Sequence, residues 1–194
     1  MIVGILAIQG AFHKHQQVLE RLGVQSRLIK HPGELDEVDA LIIPGGESTT
    51  MTKVLQSEKW SDVIELYARD NPVFGTCAGA ILLSNQVDSD KVKPWHIIDM
   101  SVSRNAFGRQ IESFLADIDW GAAGESVKIP AVFIRAPRIN KIGDRVEILG
   151  RYEGEPVVVR QGNAMAATFH PELTNDIAVH RYFIDELCRK AQAA

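Results

Sequence analysis

Apolar and polar positions alternate along the first half of the chain in a strand–helix rhythm. Ile2–Ile8 is a continuous apolar run, as a strand buried on both faces requires. Phe12, His15, Leu19 and Leu22 then recur at helical spacing, and Gly23 supplies a stop. Val24–Lys30 and Asp39–Ile43 read as a second and third strand, the latter ended by Pro44-Gly45-Gly46. Residues 49–56 and 60–69 carry helical patterns, Pro72–Thr76 a short strand, and Ala78 to about Ser84 a small apolar helix. The polar stretch 85–96 reads as a surface loop. Six strands are expected beyond it: Ile97–Arg104, Ile111–Ile118, Lys128–Arg135, Val146–Tyr152, Pro156–Arg160 and Asn163–Phe169. Residues 174–191 form a closing helix, with Ile177, His180, Phe183, Ile184 and Leu187 on one side. The pattern predicts an α/β fold, an open, mainly parallel or mixed sheet flanked by helices, in one domain spanning 1–194.

Composition narrows the class. The 194 residues are 45% hydrophobic and 24% charged, with a net charge of −4, which excludes a disordered or collagen-like chain. No apolar run approaches the roughly 20 residues of a membrane span. The mild acidity and the absence of a Lys/Arg block argue against nucleic acid or an anionic membrane as main partner. No basic stretch precedes the apolar start and no cleavage site follows it, so a cytoplasmic location is expected. Cys77 and Cys188 form no metal or disulfide spacing and are read as reduced thiols.

Gly75-Thr76-Cys77-Ala78-Gly79 falls between a strand and a helix, as a nucleophile elbow does, with Cys where many hydrolases carry Ser. Glycines two positions either side of the nucleophile are needed because side chains there would strike neighbouring backbone. The sulfur then projects at the C-terminal edge of the sheet, and the Ala78 N–H is available to an oxyanion. The competing reading is a buried core thiol, which describes most free cysteines and is accepted for Cys188. A thiol nucleophile needs an oriented base. Of six histidines, His170 stands out in Phe169-His170-Pro171-Glu172, where an extended run points His170 and Glu172 the same way. His13 is expected to face solvent and His15 to pack on the sheet; His31, His96 and His180 carry no partner pattern. No metal or cofactor is implied. Gly45 and Gly46 let backbone N–H groups approach a ligand, and Ser48 is placed to cap the next helix.

Pro-Gly-Gly, Gly-Thr-Cys-Ala-Gly and His-Pro-Glu, in that order, resemble the class I, triad-type glutamine amidotransferases. Pro44–Met51, Arg104–Gln110, Phe133–Pro137 and Phe169–Thr174, together with Leu6–Gly10, are similar to the glutaminase subunits of pyridoxal 5′-phosphate synthases. The resemblance implies a flavodoxin-like fold. It implies that Cys77, His170 and Glu172 hydrolyse L-glutamine to glutamate and ammonia through a γ-glutamyl thioester. Matching positions for glutamine are Gly46, Glu47, Ser48, Arg104, Ile134 and Arg135. Gly46 and Ala78 are oxyanion-hole candidates, and Gln9 is a further one. Asn105 and Arg109 are read equally as substrate contacts or as loop-shaping residues. The implied partner is a (β/α)₈-barrel synthase subunit that takes the ammonia in vitamin B6 biosynthesis. Two alternatives stay open: the glutaminase of another synthase, such as imidazole glycerol phosphate synthase, and a non-catalytic α/β sensor domain. Lys93–His96 departs from the family's apolar pattern.

Overall fold

The computed structural model describes residues 1–57, 60–104, 113–121 and 126–193. Among them a nine-stranded sheet runs in the order β2 (Gln25–Ile29), β1 (Ile2–Leu6), β3 (Ala40–Ile43), β4 (Val73–Thr76), β12 (Ala164–Ala167), β11 (Glu155–Gln161), β10 (Glu147–Tyr152), β7 (Ser113–Trp120), β8 (Val127–Ile134). The first five strands are parallel and the rest antiparallel. The division follows the connections. Helices α1 (Phe12–Arg21), α2 (Ser48–Ser57) and α3 (Trp60–Asp70) lie between the early strands, and parallel neighbours need such crossovers. The late strands are joined by short turns, which allow only antiparallel pairing.

Residues buried on both faces explain the continuous apolar runs. All four positions of β3 and of β4 are buried. One face carries Leu41, Ile43, Met51, Leu55, Trp60 and Ile64, under α2 and α3. The other carries Leu19, Phe74, Phe133, Phe169 and Phe183, under α1 and the closing helix. Fully burying each such side chain contributes about 1.5–3 kcal/mol.

Several expectations change. Within the stretch read as a loop, β5 (Ser84–Val87) pairs with β6 (Ile98–Ser103), which pairs in turn with β9 (Arg138–Ile142), an unanticipated strand in a second, three-stranded sheet. Trp95 of the divergent Lys93–His96 segment is buried in the core, its indole N–H donating to Ser61 Oγ at 3.1 Å. The closing helix begins only at α5 (Ala178–Tyr182), passes through a π-helical turn at Phe183–Cys188 and ends as α6 (Arg189–Ala193). Residues 171–173, where an extended run was expected from His170 to Glu172, form a 3₁₀ turn. Of the strand expected over Ile111–Ile118, Ser113–Ile118 lies within β7, and Ile111 lies outside the described residues.

Because β1 sits between β2 and β3, chain direction around the sheet reverses there, and a crevice opens beyond the C-terminal strand ends. Gln9, Gly45, Cys77 and His170 follow β1, β3, β4 and β12 respectively, so four strands deliver residues to one edge.

Candidate active site

The Gly75–Gly79 elbow is as tight as its glycines imply. A Cβ on Gly75 would lie 2.6 Å from the carbonyl of Gly79, and one on Gly79 would lie 2.1 Å from the carbonyl oxygen of Ile43. The β4–β12 ladder, which pairs Ala167 with Thr76, continues one step further as Cys77 N–H donates to Ala167 O at 2.8 Å. Immediately after it the chain turns into α4 (Ala78–Leu83), and Cys77 takes φ +48° and ψ −103°. A side chain held in that region costs of order 1–3 kcal/mol and persists only where its surroundings fix it. The thiol is mostly buried and donates to Ile134 O at 3.8 Å.

His170 reaches the sulfur from the end of β12, where its N–H donates to Val132 O at 2.8 Å. Its Nδ1 lies 2.7 Å from Glu172 Oε1. The pair is brought together by the 3₁₀ turn at Pro171–Leu173 and not by an extended run, since Pro171 starts the turn and carries Glu172 back under the ring. Burial alone would lower the pKa of His170. Hydrogen bonds that its ring donates to Cys77 and Glu172, with the electrostatic attraction of both groups, outweigh it and raise the value to about 10. Burial likewise works against the Glu172 carboxylate, but His15 and His170 hold its pKa down to about 2.

The sequence reading placed His15 against the sheet, where it is fully buried, and His13 faces solvent as expected. It missed that His15 joins this group and that His180 has a partner. His15 Nε2 lies 3.5 Å from Glu172 Oε2 and 3.2 Å from Thr76 Oγ1, and its Nδ1 lies 2.9 Å from His180 Nε2. Burial lowers the pKa of His15 more than Glu172 raises it, so it is neutral, and burial takes His180 down to about 3. Cys188 is buried, and burial pushes its thiol pKa up to about 12, as suits an inert core thiol.

Cys77 and His170 open into a cavity of about 370 Å³. Its wall includes Gln9, Gly46, Glu47, Ser48, Ala78, Arg104, Ile134 and Arg135, so all the candidate binding positions converge on one space. Glu47, and not Ser48, caps α2: its Oε1 accepts from Thr49 N–H and O–H at 3.1 and 2.5 Å, and its Oε2 from Thr50 N–H and O–H at 2.8 and 2.5 Å. Those bonds hold its carboxyl pKa down to about 2. The same carboxylate lies 3.9 Å from Arg104 Nη2, while Arg104 Nη1 donates to Ser89 Oγ at 3.2 Å. Arg135 has φ +43° at the rim. Gln9 Oε1 is buried with no hydrogen-bond partner among the described residues. Asn105 and Arg109 lie outside the described residues.

A family model described as the SNO glutamine amidotransferase family matches residues 5–189, nearly the whole of this arrangement. The chain belongs to that family. Among curated members of known name, it is 47% identical over 183 residues to the pyridoxal 5′-phosphate synthase subunit PdxT of Francisella philomiragia, covering 94% of this chain and 97% of that protein. It is 47% identical over 193 residues to the PdxT of Pelotomaculum thermopropionicum, covering 99% and 98%. A crystal structure of a glutamine amidotransferase superposes with a TM-score of 0.89 at 41% identity, covering 97% of this chain and all of that one. The four strand ends described above bring Gln9, Gly45, Cys77 and His170 to the wall of one cavity.

Proposed function

We propose that Cys77, His170 and Glu172 form the catalytic triad of a glutaminase domain spanning 1–194, which supplies ammonia for pyridoxal 5′-phosphate synthesis. The observation that carries this reading is the elbow thiol packed with His170 against Gly45, with His170 Nδ1 2.7 Å from the buried Glu172 carboxylate, at the wall of a cavity of about 370 Å³. Cys77 Sγ attacks the side-chain carbonyl carbon of glutamine. The oxyanion that forms is met by backbone N–H groups of Gly46 and Ala78, and Gln9 adds a side-chain amide at the same wall. His170 holds the proton taken from Cys77 and gives it to the departing ammonia, leaving a γ-glutamyl thioester. It next accepts a proton from water, which attacks the thioester and releases glutamate. Glu172 balances the imidazolium charge throughout.

Arg104 pairs with the substrate α-carboxylate through its planar fork, and Glu47 sets the place of that guanidinium. Ser48, Ile134 and Arg135 complete the cradle. The ammonia passes to a synthase subunit with a (β/α)₈ barrel, in a hetero-oligomeric complex. A cytoplasmic location agrees with two free thiols and with the lack, among the described residues, of a helix long and apolar enough to cross a membrane.

Ammonia release from glutamine, measured for the chain alone and with its synthase subunit, tests the reading. Hydrolysis is expected to rise sharply with the synthase. Cys77→Ala is expected to reduce it by at least about 10³-fold while leaving the fold and docking intact. Hydrolysis that survives the substitution removes Cys77 from the mechanism, and hydrolysis indifferent to the synthase removes the partner.

A further inference from the structure

Glu172 is 3% exposed, and among the described residues only one of its two carboxylate oxygens has a hydrogen bond within ordinary limits. A buried, half-satisfied carboxylate would swing, and the base it orients would swing with it. The polar atom facing the second oxygen is His15 Nε2, at 3.5 Å. His15 comes from α1 and is fully buried, as is His180 of α5 behind it. Nε2 also lies 3.2 Å from Thr76 Oγ1, and a proton on Nε2 suits both that oxygen and the carboxylate. A bare Nε2 would set a lone pair against a carboxylate, so Nε2 carries the proton and Nδ1 is the acceptor. His180 Nε2–H then donates to that Nδ1 at 2.9 Å, leaving His180 Nδ1, which has no partner among the described residues, as a bare nitrogen beside Phe74.

We propose that His15 is a positioning residue for the reaction: its Nε2–H, aimed by His180, anchors the second oxygen of Glu172 and so fixes the tilt of the His170 ring towards Cys77. Thr76 ties the same nitrogen to the elbow, because its Oγ1 lies 3.2 Å from His15 Nε2 and accepts the Gly45 N–H at 3.1 Å. A neutral imidazole suits the task where Lys or Arg would not. A second cation would share the carboxylate's charge, which His170 needs undivided.

The proposal rests on the triad reading, and its test separates the two. The synthase-bound enzyme is assayed as wild type, His15→Leu, His15→Gln and Glu172→Gln. The Leu variant is expected to lose about ten- to a hundred-fold in kcat, as the loss of an orienting outer-shell partner does, with KM changed less than about twofold. The titratable groups facing His15 are His170 at the end of β12, Glu172 of the 3₁₀ turn and the neutral His180 of α5, and the charge of Arg21, on α1, also bears on His180. With Glu172 unanchored, the His170 imidazolium is less well held, so the alkaline limb of the kcat profile moves to lower pH. The Gln variant, whose amide reaches the Nε2 position, is expected to recover most of the rate and the limb. On a Glu172→Gln background, His15→Leu should cost less than about threefold more, because both act through one contact.

Full additivity, an unmoved limb, or equal losses in the Leu and Gln variants overturn the proposal. If the Leu variant does not fold, His180→Phe reads the same chain, since it removes the donor that aims His15, and an unmoved limb there overturns it equally. A wild-type rate in His15→Leu beside a dead Cys77→Ala leaves the triad standing and removes only the positioning role. Hydrolysis surviving in Cys77→Ala removes the triad itself.

Discussion

Gly45 lacks a side chain because the His170 ring occupies the space one would need. A Cβ there would lie 2.4 Å from His170 Cε1 and 3.0 Å from Cys77 Cβ. Gly45→Ala is therefore expected to displace the imidazole by several tenths of an ångström. A misplacement of about 1 Å costs around 10²-fold, so kcat should fall by about ten- to a hundred-fold. Steady-state kinetics check this, and an unchanged kcat would mean that the ring moves freely without loss. At this scale the grouping of Cys77, His170 and Glu172 was legible from sequence because each sits in a local pattern: a Gly-flanked Cys, and a His two residues from a Glu. His15 and His180 were not, because their contact joins the two ends of the chain and neither has a telling neighbour. The capping of α2 was misjudged for a different reason. A serine at a helix start is the usual cap, but Glu47 reaches both Thr49 and Thr50 and satisfies more donors than Ser48 could.

Among the elements, the elbow depends on how closely α4 lies on β3. Gly79→Ala would drive a methyl group onto the Ile43 carbonyl at 2.1 Å, and neither backbone can yield cheaply. The expected loss is about 1–3 kcal/mol, typical of overpacking, read as a lower denaturation midpoint at unchanged slope. A neutral result would show that α4 can ride away from the sheet. The strands of the main sheet were foreseen as long apolar or alternating runs, because burial on one or both faces writes itself into the pattern. β5 and β9 were not foreseen. Ser84-Asn85-Gln86-Val87 is largely polar, and Arg138–Ile142 mixes charged and apolar positions at the edge of a small sheet. Their pairing comes from the main sheet bringing β6 between them, which no local pattern records. The 3₁₀ turn at Pro171–Leu173 was likewise read as extended chain, although the histidine–glutamate contact inferred from it is present.

Across the whole molecule, the buried titrating groups give stability opposite pH dependences on the two sides of neutrality. His170, raised to about 10, stabilises the fold fully below its unfolded value of about 6.5, and that contribution is lost as pH rises through about 10. Glu172, at about 2, stabilises above about 4.5 and is lost as pH falls through about 2. His180, at about 3, stays neutral in the fold while the unfolded chain takes up a proton, so it costs stability as pH falls from about 6.5 towards 3. Melting temperature is expected to peak near pH 6–7. His180→Phe should flatten its fall on the acid side, and His170→Asn its fall between about 6.5 and 10. Parallel pH curves for wild type and either variant would refute the assignment of that group. The sheet order has a consequence in time. Thiol and base stand on neighbouring strands, yet β4 belongs to the first half of the chain and β12 is the last strand to be made. A growing chain thus exposes an elbow with no base beside it, and nothing ignites until β12 slots in next to β4. The glutaminase is born inert, and it acquires its chemistry only as its sheet is finished.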